Sequence, residues 1–188
     1  KPDGSFALGN PLVSIPPSKN FRATRPPIVN LKSKIGNQMT RIYTLVNQKG
    51  GVGKTTTAIN LGAYLVKLGK SVLVVDLDPQ ANATSSLGVD KRAVQASTYD
   101  ALLAGDVPVA SILYNERLQI SLLPSSPALA GAEIELVDEM GREFKLRKAL
   151  ESLDGKFDYI LIDCPPSLGI LTVNGLVASR DGVLVPVQ

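Results

Sequence analysis

The chain has 188 residues, 44% of them hydrophobic and 20% charged, which suits one soluble globular domain with a hydrophobic core plus an appendage. It holds no histidine, excluding histidine bases, histidine metal ligands and Ser-His-Asp chemistry within the chain; its single cysteine, Cys164, excludes an internal disulfide and fits a reducing cytoplasm. The net charge of +3 belongs to the first 38 residues, where six basic side chains face only Asp3; the remaining 150 residues hold 14 basic and 16 acidic ones, no basic excess that would argue for nucleic-acid binding.

No apolar run reaches the length of a membrane span, and no signal-peptide core opens the chain. Residues 1–38 carry six of the 13 prolines and no sustained period, so this basic, proline-rich segment is expected to be disordered. The chain opens on Lys1, and Met39 directly precedes the first strand-like run. The tail is therefore either upstream sequence ahead of a start at Met39, or a basic arm reaching DNA or a partner.

From Arg41 the pattern alternates between strand and helix. Five continuous apolar runs, 42–46, 71–76, 118–123, 159–163 and 182–187, read as strands covered on both faces. The first helix spans 54–68, with Ala58, Leu61, Leu65 and Leu68 on one face and Gly69 as its stop. Further helices are expected around 98–104, 128–137, 142–153 and 171–179. This alternation predicts an α/β fold with a doubly wound, mostly parallel sheet. The chain stops at Gln188 directly after a strand, so 39–188 is expected to be the N-terminal portion of a larger domain.

The stretch "VNQKGGVGKTTTAIN" joins the first strand to the first helix. Gly50, Gly51 and Gly53 let successive backbone N–H groups turn inward toward phosphate oxygens, and the helix start adds its partial positive charge. Lys54 can reach terminal phosphates and the Thr55 hydroxyl can face Mg²⁺. The strict phosphate-loop pattern places glycine at position 48, where this chain has Gln48.

"KGGVGKTT" resembles the deviant Walker A loop of the ParA/MinD family of ATPases, and the longer string through Leu65 is similar to its Soj branch, where glutamine commonly precedes the extra lysine. The resemblance covers 39–188. It implies ATP and Mg²⁺ as cofactors, with Lys49, Gly50, Gly51, Val52, Gly53, Lys54, Thr55 and Thr56 around the phosphates. It further implies that Lys49 reaches across an ATP-dependent homodimer to the partner's nucleotide, in the manner of an arginine finger.

"SVLVVDLDPQ" sets Asp76 and Asp78 where a buried strand runs out, the end at which open α/β sheets bind ligands. They read either as magnesium-linked or water-positioning groups, or as capping and turn residues ahead of Pro79. The family resemblance implies that Asp78 orients the attacking water, with Asp76 in support. "DYILIDCPPSLG" resembles the family's Walker B strand and second switch, implying that Asp163 binds Mg²⁺ through water. Cys164 reads as a packed small side chain. Glu133, Glu135, Asp138 and Glu139 read as a solvated helix face.

The function implied is a weak, partner-stimulated ATPase that binds non-specific DNA as a dimer and partitions a chromosome or plasmid with a ParB-type activator, in the cytoplasm at the nucleoid. A membrane-associated or cargo-positioning ATPase of the MinD kind is the alternative, and a nucleotide-regulated adaptor with little hydrolysis is a third.

Overall fold

The computed structural model describes residues 21–22 and 39–187. Among the described residues seven strands form one sheet: β1 (Phe21–Arg22), β2 (Arg41–Leu45), β3 (Val72–Asp76), β4 (Leu113–Asn115), β5 (Ile120–Leu123), β6 (Tyr159–Asp163) and β7 (Gly182–Leu184). Their order across the sheet is β1-β4-β5-β3-β6-β2-β7. The five strands from β5 to β7 run parallel, while β4 pairs antiparallel with β5, and β1 antiparallel with β4. The expected doubly wound, mostly parallel α/β sheet is thus what the chain forms. Apart from Phe21–Arg22, the segment expected to be disordered lies outside the described residues.

Helices cover both faces. α1 (Lys54–Lys67) and α2 (Asn82–Ser86) lie on one side, while α3 (Thr98–Ala104), α4 (Leu129–Glu135), α5 (Lys145–Glu151) and α6 (Ile170–Ala178) pack on the other. The central strand β3 is buried along its whole length, which is why its sequence is a continuous apolar run ending in one acid. α1 meets the sheet most closely through Ala58 and Gly62, which are buried; Leu61 and Leu65 are half-buried. Leu68, expected on the same face, sits past the last turn and is 59% exposed. Gly69 ends the helix at φ 76, where glycine carries no Cβ penalty.

Two of the expected elements differ most from the sequence reading. The run 142–153 splits into a 3₁₀ turn (Arg142–Phe144) and α5. Strand pairing in 182–187 stops at Leu184, two residues before Pro186, which lacks the N–H needed to continue a ladder. β4 and α2, both short, were not anticipated.

Topology places the site. β6 lies between β2 and β3, and its parallel register pairs Asp163 with Leu45 on one side and with Asp76 on the other. The phosphate-loop strand and both acid-bearing strands therefore end in one row, on the carboxyl edge of the sheet.

Candidate phosphate and cation site

The loop between β2 and α1 bends at two glycines in the left-handed region, Gly51 at φ 75 and Gly53 at φ 86. No neighbour lies within 4 Å of where a Cβ would stand at either, so the requirement for glycine there is one of backbone conformation. α1 has no side-chain cap at its start and no acid in its first turn, leaving its leading N–H groups to the loop's interior. Asn47 fixes the loop's entry: its side-chain amide donates to Pro186 O at 2.8 Å, and its Oδ1 accepts from Lys49 N–H at 2.9 Å.

The two lysines of the loop differ sharply. Lys54 is 8% exposed, with its ammonium 3.5 Å from Lys49 O, whereas the Lys49 side chain is exposed. Val52 is buried, and Gly50, Gly51 and Thr56 are exposed. Thr55 Oγ1 donates to Asp163 Oδ2 at 2.6 Å, which ties the loop to the end of β6.

Asp163 is 1% exposed, and its second oxygen, Oδ1, is buried with no hydrogen-bond partner among the described residues. Burial pushes its carboxyl up to about 7; the Thr55 hydrogen bond and the Lys54 charge oppose that rise, while Asp76 and Asp78 add to it. Buried polar atoms are almost always paired, so an orphaned oxygen at the edge of a phosphate loop is suited to a cation or its water. Among the described residues no group of three or more acidic, histidine or cysteine side chains could hold a metal. A magnesium ion here would draw further oxygens from phosphates and water, its common mode of binding. The residues present fit that ion.

Asp76 is fully buried and fully engaged. Its Oδ2 accepts from Thr84 N–H at 2.8 Å and from Thr84 Oγ1 at 2.7 Å, and its Oδ1 from Asp78 N–H at 3.2 Å. Burial nevertheless raises its carboxyl to about 6. Of the two sequence readings, capping describes what its oxygens do here: they hold α2 and the following turn. Asp78 is 6% exposed, and its Oδ1 closes a local turn by accepting from Gln80 N–H at 2.9 Å.

Sequence reasoning passed over Thr84, Thr98 and Ser125. Thr98 Oγ1 donates to Asp76 O at 2.7 Å, and Ser125 Oγ to Asp78 O at 2.8 Å. Their partners lie 22 and 47 residues away, so no local pattern announces them. Cys164 is buried against α6, and its thiol is pushed up by burial, as expected of a packing residue.

Among the described residues no helix is long and apolar enough to cross a membrane.

The family model described as an AAA domain matches residues 40–188. The chain is 52% identical over 151 residues to the sporulation initiation inhibitor protein Soj of Bacillus subtilis, covering 80% of this chain and 59% of that protein. It is 51% identical over 149 residues to the chromosome partitioning protein ParA of Myxococcus xanthus, covering 79% and 52%. A solved structure named cobyrinic acid a,c-diamide synthase from Mycobacterium smegmatis, with bound ATP analog and magnesium, aligns at a TM-score of 0.76 and 48% identity, covering 79% of this chain and 60% of that one. The chain thus spans between half and three-fifths of the length of these relatives. With the phosphate loop, the paired aspartates and these matches together, the chain belongs to the AAA-domain family and, within it, to the Soj branch of the ParA/MinD P-loop ATPases.

Proposed function

We propose that the chain carries the nucleotide site of a Mg·ATP-dependent ATPase that dimerises on its nucleotide, binds DNA without sequence preference as a dimer, and partitions a chromosome or plasmid with a ParB-type activator. The observation that carries the reading is the buried Asp163 Oδ1, unpaired among the described residues, at the end of the strand beside a glycine-rich loop with buried Lys54 and no side-chain cap on its helix start. Relatives named as chromosome partitioning proteins support the partition role, and a solved relative with an ATP analog and magnesium supports the cofactors.

In this reading the backbone N–H groups of residues 50–56 and the Lys54 ammonium bind the phosphates. Thr55 and Asp163 would hold Mg²⁺, which would supply charge neutralisation to the phosphates. Asp78 orients the attacking water, and Asp76 holds the turn on which Asp78 sits. Exposed Lys49 completes charge compensation at the partner's nucleotide. Such a protein works in the cytoplasm, at the nucleoid.

Titration of the intact protein with non-specific duplex DNA under Mg·ATP and Mg·ADP, at two salt concentrations, tests the partition role. Binding under ATP alone, weakened by salt as phosphate contacts require, is the expected result. Absence of DNA binding under either nucleotide would move the reading to a membrane-associated or cargo-positioning ATPase.

A further inference from the structure

The turn bearing Asp78 is held by a set of buried hydroxyls outside the glycine-rich loop. Thr84, fully buried, donates from Oγ1 to Asp76 Oδ2 at 2.7 Å, and the same oxygen accepts from Ser125 N–H at 2.9 Å. Ser125, also fully buried, donates from Oγ to the Asp78 carbonyl at 2.8 Å. The end of β3, the start of α2 and the loop after β5 are thereby joined at one point. Thr98 adds a second link, its Oγ1 lying 2.7 Å from Asp76 O and 3.1 Å from Pro124 O.

The turn inside this frame is conformationally costly. Ala81, fully buried, stands at φ 54, a region that residues with a Cβ seldom occupy and keep only where their surroundings over-determine them. Its N–H donates to Asp78 O at 2.8 Å, so that carbonyl accepts from both Ala81 and Ser125. Buried hydroxyls are expensive unless paired, and the same volume could be filled by apolar side chains. Here the Ser125 hydroxyl holds the main chain of Asp78, the residue read as orienting water, while Thr84 holds the Asp76 carboxylate two residues before it.

We propose that Thr84 and Ser125 are positioning residues for hydrolysis: through the Asp76 carboxylate and the Asp78 carbonyl they hold the 76–81 turn so that the Asp78 side chain meets the reacting water in one orientation. The proposal rests on the reading of Asp78 as the water-orienting residue.

The test is single-turnover and steady-state ATP hydrolysis by the intact protein, with Mg·ATP affinity measured separately, for T84V, T84S, S125A and D78A. T84V and S125A should lower kcat by about ten- to a hundredfold, the range that misplacing a reacting group produces. Mg·ATP affinity should stay within about twofold, since the phosphate contacts are untouched. T84S, which keeps the hydroxyl, should recover most of the loss. If T84V and S125A keep wild-type kcat while D78A abolishes turnover, the positioning role is wrong and the role of Asp78 stands. If D78A itself retains turnover, the underlying reading fails first. Equal losses of affinity and kcat would mark the network as merely structural and overturn the proposal. Should T84V not fold, S125A decides by the same criteria.

Discussion

Asp76 and Asp163 stand opposite one another in the register of β3 and β6, yet one carboxylate has both oxygens held by protein donors and the other keeps a buried oxygen with no partner among the described residues. Two acids at equivalent places on neighbouring strands have thus been given different work. Asp76 holds a helix and a turn, and Asp163 is tied to the glycine-rich loop through Thr55.

Both carboxyls are raised by burial, to about 6 and about 7, above the ordinary value of 3.8. The folded state therefore binds their protons more tightly than the unfolded chain does. Their contribution to stability is fully present below the unfolded pKa and is lost as pH rises from near 4 through the 6–7 range. D163N removes one ionising group, so the melting temperature of the nucleotide-free protein should fall less steeply over that window. At pH 8 the variant should melt higher by about 2–4 °C, the shift that ~1 kcal/mol produces in a chain of this size. It should also lose the extra stabilisation that Mg·ATP gives the wild type. Thermal melts across pH, with and without Mg·ATP, check both; an unchanged pH slope would contradict the assignment.

A second prediction concerns the contact between α6 and the end of β6. A Cβ at Gly175 would stand 2.6 Å from Cys164 Sγ and 3.3 Å from Thr44 Cγ2. G175A must push the helix away from the residue that follows Asp163, at a cost of about 1–3 kcal/mol. C164A removes the nearer obstacle. The double variant should therefore recover much of the loss, and a double-mutant cycle by urea denaturation should return a clear coupling energy. Strict additivity would contradict the packing described.

The parallel strands and the phosphate loop are legible in the sequence because burial on both faces writes itself as continuous apolar runs, and because the loop's glycines and lysines are contiguous. α2 is not legible. Apart from Ala83, its residues, "NATSS", are poor helix formers, and the carboxylate that takes the Thr84 N–H in its first turn comes from Asp76, eight residues earlier. β4 escaped for a similar reason: three residues with Tyr114 and Asn115 carry no readable alternation, and pairing with β5 defines them. The roles of Thr84 and Ser125 are set by distant partners, so composition could not reveal them.

A third prediction separates fold from site. Asn174 is fully buried; its Oδ1 accepts from Leu146 N–H at 3.0 Å, and its amide donates to Arg142 O and Ile170 O, both at 2.9 Å. It ties α6 to the start of α5, on the sheet face away from α1. N174A leaves the Leu146 N–H unpaired and should cost about 1–3 kcal/mol in urea denaturation. Mg·ATP affinity should remain near wild type at temperatures where the variant is folded. A selective loss of nucleotide affinity would place Asn174 in the site instead.

We propose a division of labour between two lysines, buried Lys54 for the chain's own nucleotide and exposed Lys49 for the partner's. Sedimentation of the intact protein with Mg·ATP, paired with nucleotide-binding measurements for K49A and K54A, tests it most directly. K49A should bind Mg·ATP as a monomer with near wild-type affinity and form no dimers, while K54A should lose the nucleotide itself. Dimers of K49A persisting at wild-type strength would contradict the account.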